Sequence, residues 1–243
     1  MRSRPACLTA LACALLVGCR GEPPPAATPT PLAAAPHAAQ NLALGLGEPR
    51  KPEPFTIEQR LLDAVRRGDR PTIARALELG APLGARDDIG RGVVLLAVLE
   101  AQDRELVRWL HDRGAAVDEP DTGGRTALSF AAATGQLEVV RFLLDQGALV
   151  DRRDVQQRTA LFHAALGNQP ETVALLLVRG ADPNAKDQFA DTPLIVACAK
   201  GNTPVATVLL AHGADPALRD QEGRTAYDRS APGACTPPAT PAG

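Results

Sequence analysis

The sequence predicts an all-α repeat fold, a solenoid of helix-turn-helix units with protruding hairpin loops. Two periodic markers and the composition carry this reading. Gly-Ala recurs at Gly80-Ala81, Gly114-Ala115, Gly147-Ala148, Gly180-Ala181 and Gly213-Ala214, in steps of 34, 33, 33 and 33 residues. Thr126, Thr159, Thr192 and Thr225 keep the same beat of 33. Aromatic residues make up only 3% of the 243-residue chain, while Ala, Leu, Gly and Arg dominate, which suits helices packed closely through small side chains. Such a period means stacked supersecondary units, each burying its apolar face against its neighbours.

One unit, Gly124 to Asp154, shows how each element arises. Thr126 is a good N-cap, because its hydroxyl can accept from an orphan amide of the first turn. The next position is Ala127 here and Ala160, Pro193 and Ala226 in later units; proline is tolerated at the first helical position and nowhere deeper. Leu128, Ala131 and Ala132 then give a short helix whose small face admits a second helix at close range. Gly135 breaks that helix. Leu137, Val140, Leu143 and Leu144 recur at helical spacing. Gly147 follows as a C-cap residue able to take a positive φ. The polar stretch to the next Thr suits a hairpin-like loop.

Thr192-Pro193-Leu194 with Ala197, together with Gly180-Ala181-Asp182-Pro183-Asn184 and Gly213-Ala214-Asp215-Pro216, resembles the ankyrin repeat. That family's signature is Thr-Pro-Leu-His-x-Ala-Ala, then a second helix and Gly-Ala-Asp. The resemblance covers residues 55–231 and implies an ankyrin solenoid of five repeats, with the truncated "QEGRTAYD" as C-terminal cap. Three departures qualify it. Ser129, Phe162 and Ile195 replace the signature His, so the family's inter-repeat His bonding is not expected. The second repeat, "GRGVVLLAVLEAQDRELVRWL", lacks the Thr and the Ala pair, so its first helix is expected to pack less regularly. The first repeat is more charged, as a terminal repeat with a polar outer face should be.

Residues 1–54 read differently. Arg2 and Arg4 precede a ten-residue apolar run, Leu8–Val17, too short for a spanning helix of ~20 residues but right for a secretory signal. Leu16-Val17-Gly18-Cys19 resembles the bacterial lipobox, which implies cleavage after residue 18 and acylation of Cys19. Residues 1–18 are therefore expected to be a lipoprotein signal peptide. Residues 19–54 are expected to be the lipidated Cys and a Pro-rich disordered tether, with nine prolines among the 35 residues from Arg20 to Pro54. Residues 232–243 are expected to be a disordered tail. Arg20, where inner-membrane lipoproteins carry Asp, favours the outer membrane facing the periplasm.

Losing the signal would remove Arg2 and Arg4 and no acid, moving the formal charge from −2 to −4. A mildly acidic chain is not expected to bind nucleic acid. Export would allow Cys198 and Cys235 to pair. Cys198, however, holds the second Ala position of the helix-packing pair and Cys235 sits in a Pro-rich tail, so free thiols are the expectation.

No catalytic constellation, metal site or cofactor is expected. His111, His163 and His212 are 52 and 49 residues apart and fall at different phases of the repeat. Asp87, Asp121, Asp154, Asp187 and Asp220 recur at one phase, which points to loop architecture. The ankyrin resemblance implies binding through loop tips and the exposed side of each first helix. It assigns partner contact to Val155, Gln156, Arg158, Gln188, Phe189, Asp191 and Glu222 at the tips, and to His163, Leu166 and Lys200 on the helices. The expected function is a monomeric, membrane-anchored, non-catalytic scaffold or adaptor that binds a protein partner, held to the bilayer through acylated Cys19. The alternative is an inhibitor or immunity-type protein masking a secreted toxin or envelope enzyme.

Overall fold

The computed structural model describes residues 56–230 and 235. The expected signal peptide, Cys19, the tether and all of the tail but Cys235 lie outside them. The described chain is an all-α solenoid of five helix pairs. In order they are α1 (Ile57–Arg67) with α2 (Arg70–Glu78), α3 (Val93–Leu96) with α4 (Arg104–His111), α5 (Ala127–Thr134) with α6 (Leu137–Asp145), α7 (Ala160–Leu166) with α8 (Pro170–Val178), and α9 (Pro193–Lys200) with α10 (Thr203–Ala211). No described helix is long and apolar enough to cross a membrane.

The helix starts follow from their caps. The hydroxyls of Thr126, Thr159 and Thr192 accept from the amides of Ser129, Phe162 and Ile195. Ser129, at the signature His position, completes a reciprocal cap: its Oγ accepts from the Thr126 amide at 3.1 Å. The second helices of the later pairs lack side-chain caps; the N-cap residues of α6 and α10 reach backward instead, while Gln169 of α8 bonds the Gly167 carbonyl at 2.9 Å. Gln136 Nε2 donates to the Val98 carbonyl at 3.0 Å and Asn202 Nδ2 to the Ala165 carbonyl at 2.9 Å. A local cap is thus exchanged for a staple to the preceding repeat.

Gly80, Gly114, Gly147, Gly180 and Gly213 all adopt φ between 86° and 94°. A Cβ there would meet nothing within 4 Å, so backbone conformation alone selects glycine at this C-cap. Gly167 has the opposite reason. Its φ is ordinary, but a Cβ would lie 2.1 Å from the Ala133 carbonyl oxygen, so glycine lets α7 approach α5.

The core is a continuous ribbon of small and branched side chains. Ala131, Ala132, Ala164, Ala165, Ala197 and Cys198 are fully or almost fully buried where first helices pack side by side. In α6, Val140 and Leu143 are fully buried and Val139 nearly so. Leu137 and Leu144 are only half-buried, so the buried stripe runs through Val139, Val140 and Leu143.

The second repeat is irregular, and the cause is one residue. Its N-caps Gly92 and Asp103 are 11 residues apart, against 10 for Thr126 to Gln136, Thr159 to Gln169 and Thr192 to Asn202. The surplus residue is absorbed by a π segment, Ala97–Ala101, that continues α3. This accounts for the single 34-residue step in an otherwise 33-residue beat.

The expectation of free thiols is overturned: Cys198 and Cys235 form a disulfide, with Cα atoms 5.5 Å apart. The Ser230 hydroxyl accepts from the Cys235 amide at 2.8 Å. Half-buried Cys235 then packs on the core beside fully buried Cys198. The contact is tertiary, and a repeat pattern carries no sign of it.

Candidate functional site

Each hairpin tip is built on one aspartate. An Oδ of Asp87, Asp121, Asp154, Asp187 and Asp220 accepts from the amide four residues on, at 2.8–3.0 Å. In the first four tips the same oxygen also accepts from the amide two residues on. The loop-architecture reading of these acids therefore holds. The residue three after each Asp has positive φ: Gly90, Gly124, Gln157, Ala190 and Gly223. An alanine in that conformation carries ~1 kcal/mol of strain.

Adjacent tips are joined by backbone. The amides of Thr122, Val155, Gln188 and Gln221 donate to the carbonyls of Ile89, Gly123, Gln156 and Phe189 in the preceding tip, at 2.9–3.1 Å. Fixed contacts between neighbours hold the exposed side chains in a defined order, the preorganisation a docking surface needs.

The position four after the Asp is Arg in four tips. Arg91, Arg125 and Arg224 pair with their own aspartates at 2.7, 2.9 and 3.1 Å. Burial pushes the Asp87 carboxyl up, but the Arg91 amide and guanidinium more than offset it and hold the group below its ordinary range. Arg158 instead reaches the next aspartate, Asp187, at 3.4 Å. Asp154 is taken by His163, whose Nε2 lies 3.0 Å from its carboxylate. Burial lowers the His163 imidazole below its usual value; Asp154 opposes the shift, and Arg158 and Arg125 add to it. A neutral His163 donating Nε2–H to Asp154 satisfies both groups.

The fourth tip carries Asp191 where the others carry Arg. Asp191 is buried and its carboxylate is engaged by Arg229 from the C-terminal cap. Burial pushes this carboxyl up, with Arg229 opposing.

The residues assigned to partner contact thus fall into two groups. Val155 is 66% and Phe189 49% exposed, and Gln188, Glu222, Leu166 and Lys200 are also exposed. Val155, Gln156, Gln188 and Phe189 are brought together on adjoining laddered tips. Arg158 and Asp191 are held by tip ion pairs and His163 by its hydrogen bond to Asp154, and all three serve the scaffold. Gln156 is half-buried, its Oε1 accepting from Arg158 at 2.8 Å.

Sequence reasoning overlooked the position just before each tip aspartate, occupied by Arg86, Pro120, Arg153, Lys186 and Arg219. It is basic in four of five tips, and the 33-residue beat alone would have revealed it. Among the described residues no group of three or more His, Cys, Asp or Glu side chains is placed to hold a metal ion.

Helix pairs stacked in one direction, with laddered tips exposed along one edge, define a repeat-built interaction module. The family described as ankyrin repeats (three copies) matches residues 61–154, 94–187 and 161–232. The chain belongs to the ankyrin-repeat family, a module for protein–protein interaction. No curated protein matches it.

Proposed function

We propose that the protein is a lipid-anchored, non-catalytic scaffold or adaptor that holds a protein partner on the periplasmic side of a bacterial envelope. The observation that carries the binding reading is the exposure of Val155 and Phe189 on adjoining tips whose backbones are bonded into one ladder. Ordered apolar side chains in water are effective anchors, and aromatic ones are favoured. The anchoring reading rests on Leu16-Val17-Gly18-Cys19 and the Pro-rich stretch after it. The disulfide supports it, since such bonds persist in oxidising compartments.

Phe189→Ala is expected to weaken partner binding by more than ~1 kcal/mol and to leave the melt within ~0.5 kcal/mol of the parent. A partner is first captured with the full chain, then titrated against both proteins. Equal affinities would move the contact elsewhere on the stack, and a large stability loss would make the ring structural. For the anchor, Cys19→Ser is expected to leave the membrane fraction or retain its signal. A parent protein whose intact mass includes no acyl chain would end the lipoprotein reading.

A further inference from the structure

We infer that the last three hairpins recognise an extended acidic protein segment, through a row of cations formed by Arg153, Lys186 and Arg219. This rests on the protein-binding reading above and gives it a partner chemistry.

The three residues stand 33 apart, each just before its tip aspartate, and all three are exposed. Their heads are fixed by backbone carbonyls. Arg153 donates to Gln157 at 3.2 Å and to Lys186 at 2.7 Å, Lys186 Nζ to Arg219 at 3.3 Å, and Arg219 to Gly223 at 2.5 Å. Each of the first two heads therefore touches the backbone that carries the next, and the three form one continuous row.

Carbonyls orient these cations without neutralising them. Arg91, Arg125, Arg158 and Arg224 all pair with carboxylates, and Arg86, the equivalent residue of the first tip, pairs with Glu119 at 3.2 Å. None of Arg153, Lys186 and Arg219 has a carboxylate oxygen within 4.0 Å among the described residues. An acidic chain thus leaves three cations in line without a contact ion pair, Arg219 alone having a carboxylate, Asp228, within range of its charge, on the hairpins that expose Val155 and Phe189.

Spacing narrows the partner. Stacked repeats are separated by roughly a helix-pair width, ~10 Å, and a chain extended as polyproline II advances ~3.1 Å per residue with about three residues per turn, so every third side chain shares one face. A carboxylate at every third residue would therefore meet each cation in turn. Regular fixed spacing suits a peptide with that register better than a lipid surface, which has none.

The test is a short fluorescent peptide with Glu at every third position and Leu and Ser between, titrated into the full chain by anisotropy at low and high salt. Binding should weaken as salt rises. Exchanging all three cations for Gln should weaken it about tenfold, as three exposed ion pairs are lost. Arg153→Lys with Arg219→Lys should keep it, which covers the case of an unfolded Gln variant. Equal binding by the Gln variant, equal binding of a peptide with Lys in place of Glu, or full competition by phosphatidylglycerol vesicles would each overturn the inference. A captured partner that is lost by Phe189→Ala but kept by the Gln variant would preserve the binding function and remove only the acidic register.

Discussion

Leu143→Ala is expected to lower the unfolding free energy by about 3 kcal/mol, within the ~2–5 kcal/mol typical of a buried leucine truncation. Leu143 is fully buried in α6, in the central pair, with repeats on both sides. A solenoid draws its stability from nearest-neighbour interfaces, so weakening this pair also removes support from the pairs around it. Denaturant melts of the domain measure the effect, with Glu138→Ala as the control on the exposed face of the same helix. The control should shift by less than ~0.5 kcal/mol. Equal shifts for the two would mean that Leu143 does not face the core.

Cys235→Ser is expected to cost about 2–4 kcal/mol, by releasing the cap rather than by damaging the core. The bond spans a separation of 37 residues, and loop entropy for such a ring corresponds to about 4 kcal/mol, an upper figure for most bridges. Cys235 is the cleaner position to change, because serine at fully buried Cys198 would add an unmet hydroxyl. The loss should concentrate in α9, α10 and the cap, read as faster amide exchange there. Reductant should bring the parent to the variant's stability. A parent indifferent to both treatments would show that the thiols are unpaired.

What the sequence made legible is what repeats. The 33-residue beat, the Thr caps and the C-cap glycines are local features, each imposed by one residue's own geometry, and all are found where the pattern places them. What escaped depends on contacts between units. The 34-residue step announces a surplus residue without locating it, because only helix packing decides that the π segment rather than a loop takes it up. Arg158 has two aspartates within reach, and its choice of Asp187 goes with the hold of His163 on Asp154. The burial of Asp191 follows from Arg229, 38 residues away. The disulfide likewise joins two residues 37 apart in sequence, a pairing no 33-residue period encodes. The exposed candidates at the tips were legible from phase alone. Their division into free and committed side chains was not, since commitment is a matter of which neighbour arrives first.

The tip ladder has a direction, and this bears on how the gene can change length. Each inner tip gives one amide to its predecessor and lends one carbonyl to its successor. A duplicated 33-residue unit inserted among the early repeats would do both, so the array can lengthen there without orphaning a backbone group. A unit inserted between Cys198 and Cys235 meets a different fate. It would carry the cap one repeat away from α9, adding ~10 Å to a Cα separation that is now 5.5 Å, well past the ~7 Å that a disulfide can bridge. The bond therefore acts as a terminator: the protein can grow from its early repeats, while the last repeat remains the last.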